Sequence, residues 1–367
     1  MSGVDFGWGS AGKISAIMDV IGEPVNVVLL GTKLGRQVIA KLPIAIDFPD
    51  WSLDEIALAD LLAAHHIDAA LIVLDPQLAT AVQEAGIPVV YVDSLPFMWS
   101  SADLIPTTVY RYCAQLLPGQ YRERTPALEP IHNLAWVQPI IKKGRENVTV
   151  RHKEGIAVVN FGGLHSPVNL SGNPTYLGLV FPPLLNALRR AGYRELHVVG
   201  NITREDLRGR ALPKDLASVG PCTHEAFLDL VATAQVLVTS PGLTTVLEAT
   251  QIGTRIVCLP AQNLSQLLNG DYFARTFGPD GCVQWPNGVL DRAAVERARA
   301  KGGEEAALAV INSALSATET SVVHRALSSS IQLALSSTTR SVRGLGSTNG
   351  AQQVASYLVE AARLRKI

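Results

Sequence analysis

Short runs of β-branched and other apolar residues alternate with longer stretches in which apolar residues return every three or four positions. In the first half the runs predict strands over Val4–Phe6, Val25–Leu30, Ala45–Phe48, Ala69–Leu74, Val89–Val92 and Leu134–Val137. Helices are expected between them at Ser10–Ile21, Asp54–His65 and Pro76–Ala85. Leu53, Ile56, Ala57, Leu61 and Leu62 recur at near-helical spacing and give the second of these an apolar face. Alternation of this kind is the mark of parallel sheets, because a parallel strand needs a crossover to carry the chain back to the same edge.

The pattern pauses at Ile141–Gly155, where apolar content falls and charge rises, and then restarts. Strands are predicted at Ile156–Phe161, Glu195–Val199, Val236–Thr239 and Arg255–Leu259, with helices at Pro174–Ala191, Thr223–Ala234, Thr244–Ile252 and Asp291–Lys301. Past Gly303 the chain reads as helical, at Glu304–Ala317 and again at Ala351–Ala362; Ser328–Gly350, rich in Ser, Thr, Gly and Arg, reads as a partly mobile loop or a loose helix. The expected organisation is an N-terminal domain over 1–141, a linker over 142–155 and a second domain over 156–330. A tail over 331–367, a loop and a helix, would return to the first domain. The fold class is α/β: two Rossmann-like domains facing each other across a cleft, followed by C-terminal helices. Neither half shows a short-period repeat.

Composition supports this. The chain has 367 residues, 47% hydrophobic and 17% charged, enough apolar material for two cores at roughly 150 residues per domain. A net charge of −1, without a basic cluster, argues against nucleic acid. The four cysteines, Cys113, Cys222, Cys258 and Cys282, form no CxxC pair and suggest neither zinc nor a disulfide framework. No run approaches the roughly 20 apolar residues that span a bilayer. The first residues lack the basic head and apolar core of a secretory signal, so cytoplasm is the expected compartment. Oligomeric state stays open, with a homodimer one option.

One segment carries chemistry. A predicted buried strand runs into Ser240, Pro241 and Gly242, after which a helix begins, with Thr244, Thr245 and Glu248 on its first turns. In open parallel sheets ligands bind outside the carboxyl ends of strands. Gly242 would let a ligand approach the backbone, and the new helix turns N–H groups toward an anion. Glu248, one turn deeper, could accept hydrogen bonds from two sugar hydroxyls. Phosphate at the helix start with ribose at the carboxylate makes a nucleoside diphosphate site. Taken alone, the stretch reads equally well as a helix capped by Ser240 and Thr244 with Glu248 in solvent.

The order of neighbouring residues adds to this. Phe227, Ala234–Val238, Ser240, Gly242, Thr245, Glu248, Gly253, Pro260, Gln262, Asn263 and Gln266 follow one another as in the donor domain of GT-B glycosyltransferases. The segment resembles the enzymes that add N-acetylglucosamine to the peptidoglycan lipid precursor. The resemblance covers about 220–278, with departures at Pro241 and at Thr254-Arg255. It implies that the 220–227 loop, containing His224 and Phe227, holds the base, that Glu248 holds the ribose, and that Gln262, Asn263 and Gln266 touch the transferred sugar. The loop Asn160–Pro167 corresponds to the first donor-domain loop, where the backbone of Gly162 and Gly163 would meet the ligand and His165 a phosphate.

In the first half, Gly7, Gly9, Ser10, Gly12 and Lys13 form a glycine-rich turn suited to phosphate or acceptor, though neither a Walker A loop nor a full dinucleotide fingerprint. Where the resembled family has His, this chain has Lys13, a poor base at neutral pH and better read as an ammonium clamp. Asp93, after the strand ending at Val92, is the preferred general base, with Phe97, Met98 and Trp99 as an acceptor wall. The expected activity is transfer of a sugar, UDP-linked by preference, to a small soluble acceptor, with inversion and without an essential metal or cofactor. A tailoring role in natural-product assembly, including glucuronate transfer in nucleoside antibiotics with Lys13 on the sugar carboxylate, fits this reading. A nucleotide-sugar epimerase of the same fold, or a non-catalytic sugar-nucleotide-binding activator, are the alternatives.

Overall fold

The computed structural model describes residues 1–4, 9–22, 25–31, 44–47, 55–118, 125–142, 152–165, 173–209, 216–337 and 347–365. Gly7 of the glycine-rich turn, residues 143–151 of the expected linker and the end of the first expected strand lie outside them. The chain divides into two compact units: Met1–Asp5, Ser10–Lys143 and Gly346–Ile367 form one, and Phe6–Gly9 with Gly144–Leu345 the other.

The first unit has a parallel sheet in the order β1 (Ser2–Gly3), β4 (Ala70–Val73), β5 (Val89–Asp93), β6 (Arg111–Gln115), β7 (Leu134–Val137). A parallel pair, β2 (Val28–Gly31) and β3 (Ile44–Asp47), joins beside β1, since Leu30 N donates to Met1 O at 2.9 Å and the Met1 amino group to Val28 O at 2.7 Å. The resulting order, 3-2-1-4-5-6-7, is the doubly wound arrangement, with its reversal between β1 and β4. Every residue of β4 and β5 is buried, as strands covered on both faces must be. Around them lie α1 (Gly9–Met18), α2 (Glu55–Ala64) and α3 (Pro76–Glu84). Asp75 caps α3 by accepting from Leu78 N at 3.1 Å, with Pro76 at the first helical position. Strand β6 was not expected, because Arg111 and Gln115 at its ends break the apolar run; Tyr112, Cys113 and Ala114 between them are fully buried.

The second unit has a parallel sheet in the order β10 (Leu216–Gly220), β9 (Glu195–Val199), β8 (Lys153–Asn160), β11 (Ala234–Thr239), β12 (Ile256–Cys258). Counted from β8, this is again 3-2-1-4-5, reversing between β8 and β11. Strand β10 too was missed, being a half-exposed edge strand (LASVG) with little apolar contrast. The helices are α4 (Pro174–Arg190), α5 (His224–Thr233), α6 (Leu243–Ile252), α7 (Leu264–Phe277), α8 (Arg292–Ser316) and α9 (Thr320–Ser336). Asn173, Thr223 and Asn263 cap α4, α5 and α7 with side-chain oxygens. Helix α8 breaks at Gly302 and Gly303, the latter at φ 67°, where the sequence predicts one helix to end and another to begin.

Helix α9 extends to Ser336, into the stretch from Ser328 that was expected to form a loop or a loose helix. Val323, Leu327, Ile331, Ala334 and Leu335 make a buried stripe at helical spacing, while Ser329 and Ser330 face solvent. Serine on the outer face hid the period, and packing against α4 overrides serine's indifferent helix propensity. Among the described residues no single helix is long and apolar enough to cross a membrane; α8 and α9 pass that test only together, bent by 102° at their break. The last helix, α10 (Gly350–Leu364), belongs to the first unit and lays Ala351, Val354, Ala355, Leu358 and Ala361 against the β5–β7 side of its sheet.

Candidate nucleotide site

The reversal of strand order in the second unit opens a crevice at the carboxyl ends of β8 and β11, because the two neighbouring connections leave in opposite directions. Asn160 ends β8 and Thr239 ends β11, paired in register, and Ser240 N donates to Asn160 O at 3.0 Å. The loops leaving these strands are the two that the sequence analysis singled out.

The β11 loop turns sharply into α6. Gly242 is the residue before the helix, at φ −76° and ψ 128°, and the helix has no side-chain cap. Ser240 does not cap it: its Oγ lies 3.5 Å from both Tyr176 Oη and Gln262 Nε2. A capless helix start keeps its first N–H groups for an anion, reinforced by the helix dipole. Neither its φ nor its surroundings demand glycine at 242, since an added Cβ would meet nothing closer than Ser240 O at 3.8 Å. What the glycine keeps is room at the helix start.

On the second turn, Glu248 is 3% exposed. Side chains tilt toward the helix N-terminus, and its carboxylate is buried rather than in solvent. His224, 5% exposed, places Nε2 at 2.9 Å and 3.0 Å from the two carboxylate oxygens. His224 Nδ1 has no hydrogen-bond partner among the described residues.

The β8 loop is held from the other side. Gln262 Nε2 and Gln266 Nε2 both donate to Gly162 O at 2.9 Å, and Gln262 N donates to Gln266 Oε1 at 3.2 Å. Asn263 accepts from Gln266 N at 2.9 Å as the cap of α7. Gly163, at φ 79°, lies so close to this group that a Cβ would stand 3.1 Å from Gln266 Nε2 and 3.3 Å from Asn263 Nδ2. Here both backbone and packing require glycine. Thus Gln262, Asn263 and Gln266, expected to touch the sugar, are all buried and brace the loop that lines the crevice.

Asn160 Nδ2 donates to Thr245 Oγ1 at 3.3 Å, tying the β8 loop to α6. Asn160 Oδ1, Gln262 Oε1 and Asn269 Oδ1 are buried without hydrogen-bond partners among the described residues. Together with His224 Nδ1 this makes four orphaned polar atoms on the elements around one crevice, where more than about 90% of such groups are normally paired. A cluster of this kind is what a polar ligand satisfies. Asn269, which donates to Pro241 O at 3.1 Å, and Tyr176, which donates to Pro260 O at 2.7 Å, also hold these loops. Both were missed: each sits inside a helix, and nothing local marks it.

Two other expectations for this unit change. Phe227 is 2% exposed, packs in the core with Val158, Val231 and Leu237, and has its N–H bonded to Thr223 O. His165 Nε2 lies 3.1 Å from Asp206 Oδ1.

In the first unit, Asp93 does not stand at the mouth of the sheet. It is 0% exposed, with Oδ1 accepting from Leu95 N at 2.8 Å and Oδ2 from Trp99 Nε1 at 2.9 Å and Tyr112 Oη at 2.7 Å. Burial raises its pKa to about 6, against the pull of the three donors. A carboxylate with three protein donors and no solvent access anchors its loop, and this geometry gives a base role no support. Met98 is 1% exposed and the Trp99 indole is held by Asp93, so the expected acceptor wall is largely packing. Lys13 is 1% exposed on α1, within a continuous buried stretch from Ser10 to Ile17 that includes Gly12. Its ammonium is engaged inside the protein rather than held out on an open surface.

No family model matches the chain, and no curated protein matches it. Solved structures do. Arabidopsis thaliana UGT89C1 complexed with UDP aligns with a TM-score of 0.55 at 12% identity, over 98% of each chain. Phytolacca americana UGT2, complexed with UDP-2fluoro-glucose and pterostilbene, aligns at 0.51 and 14% identity, over 100% of this chain and 99% of that one. A Listeria monocytogenes protein assigned as a UDP-N-acetylglucosamine 2-epimerase aligns at 0.52 and 12%, over 96% and 93%. At such identities the likeness is one of fold, and it extends over both parallel-sheet units: the chain has the GT-B fold.

Proposed function

We infer that this chain is a GT-B glycosyltransferase that binds a nucleoside diphosphate sugar in its second unit, UDP-linked by preference, and transfers the sugar to a small acceptor. The observation that carries the reading is the crevice between β8 and β11, where a capless helix, a buried glutamate and four orphaned polar atoms come together. The pyrophosphate would lie on the N–H groups of α6, beside Gly242 and the Gly162–Gly163 loop. Two hydroxyls of the ribose would donate to Glu248. Among the described residues no group of three or more His, Cys, Asp or Glu could hold a metal ion, and this reading gives the pyrophosphate to amides and helix dipole. Structures of like fold hold UDP, quercetin, or UDP-2fluoro-glucose together with pterostilbene, which supports a small ring-shaped acceptor and a tailoring role. Inversion at the sugar carbon would need an acceptor already acidic or a base other than Asp93.

The test is a thermal-shift comparison of UDP, TDP and GDP, followed by titration of the best ligand into Glu248→Ala. Binding at one hundred times Kd adds about 2.7 kcal/mol to stability. The expected outcome is a clear shift with UDP and at least a roughly tenfold weaker Kd in the variant. No shift with any of the three would refute the site. The likeness to the Listeria protein favours a second reading, sugar-nucleotide epimerisation. Incubation with UDP-N-acetylglucosamine alone distinguishes the two: an epimer appears under the second reading and not under the first.

A further inference from the structure

His224 stands at the first position of α5 and Glu248 on the second turn of α6, 24 residues apart in sequence, yet the imidazole spans both oxygens of the carboxylate. Both side chains are almost wholly buried. A buried carboxylate needs a donor, but a donor shared between both oxygens does more than compensate charge: it fixes the plane of the group. The other ring nitrogen, Nδ1, is buried and makes no hydrogen bond among the described residues, so the ring's bonding is directed wholly at Glu248.

We propose that His224 is a positioning residue that sets the ribose selectivity of this site: Nε2, placed against both oxygens of the buried Glu248 carboxylate, orients that group for the vicinal hydroxyls. The inference rests on the nucleotide reading of the crevice and deepens it, by naming the residue that makes Glu248 discriminate ribose from deoxyribose. No bond is made or broken by His224, so its effect falls on recognition rather than on the chemistry of transfer.

The experiment measures Kd for UDP and for 2′-deoxyUDP by calorimetry in the wild-type chain and in Glu248→Ala, His224→Ala, His224→Asn and His224→Gln, with circular dichroism on each. Loss of a hydrogen bond to a charged group corresponds to about 10- to 150-fold, and that is the preference for UDP expected of the wild-type chain. Glu248→Ala should abolish it. His224→Gln, whose terminal amide reaches about as far as Nε2, should keep most of it. His224→Asn is polar and folds under the same demands, but is too short to reach Glu248; like His224→Ala it should bring the two affinities together, with most of the loss falling on UDP. A purely structural histidine would weaken both nucleotides together and leave the ratio intact. If all three His224 variants retain the ratio while Glu248→Ala loses it, Glu248 recognises ribose unaided and the inference fails while the nucleotide reading stands. If Glu248→Ala keeps the ratio, or UDP does not bind the wild-type chain, both fall.

Discussion

Two aspartates at strand ends look alike in the sequence and differ in what surrounds them. Asp75 and Asp93 each follow an apolar strand, and burial raises each pKa to about 6. A carboxylate with its pKa raised on folding is protonated more readily in the native state, so its contribution to stability falls as pH rises from about 4 to about 6 and stays low above that. For Asp75 the remedy is a neutral isostere, since asparagine caps helices as well as aspartate does. Asp75→Asn should raise the unfolding free energy at pH 7 by roughly 1–3 kcal/mol, an advantage that fades below about pH 4. Denaturant titration at pH 4 and pH 7 checks it; equal gains at both would show that charge burial is not the cause. Asp93 differs, because its three donors leave asparagine's amide hydrogens facing N–H or O–H groups. Asp93→Asn is expected to lose about 1–3 kcal/mol of stability while binding UDP normally, measurable by thermal melting with and without ligand.

At the scale of elements, the site depends on how two loops end their strands. The β11 loop enters a helix without a cap, and the β8 loop is gripped by amides arriving from α7. The two glycines in these loops predict opposite behaviour. Gly242→Ala should leave the melting temperature nearly unchanged, since nothing crowds the new Cβ and the φ is ordinary, yet weaken UDP roughly tenfold by blocking the helix start. Gly163→Ala should destabilise by about 1–3 kcal/mol, because it meets both a positive φ and the Gln266 amide. Melting curves and UDP titrations on the pair separate a ligand-serving glycine from a fold-serving one. The glycines, the serine and the glutamate of this region are legible in the chain itself, because strand, turn and helix start are neighbours in sequence. The pairing of Glu248 with His224 and of Gly162 O with Gln262 and Gln266 is not, since those partners come from separate crossovers.

At the scale of the molecule, two doubly wound sheets are built from one strand–helix alternation, and the last helix serves the first unit although some two hundred residues of the second lie between. Deleting residues 347 onward would expose the β5–β7 side of that sheet and should lower its cooperativity of unfolding, seen as a broadened or separate first transition in calorimetry. Local pattern reported most strands because burial on both faces writes a continuous apolar run into the chain. It failed at β6, whose ends are polar, at β10, a half-exposed edge, and at α9, whose outward face is serine.

What the sequence by itself determined is the set of elements, the α/β class and the strand-to-helix turns that carry Ser240, Gly242 and Glu248. Each of these follows from residues a few positions apart. Tertiary structure decided the rest: which strand lies beside which, and so where the crevice opens; that Asp93 is sealed against Trp99 and Tyr112; and that Glu248 is held by His224. The reason is physical. Periodicity records which face of an element is covered, but the partner that covers it is chosen by packing, and buried polar groups find their donors only once the sheets are assembled.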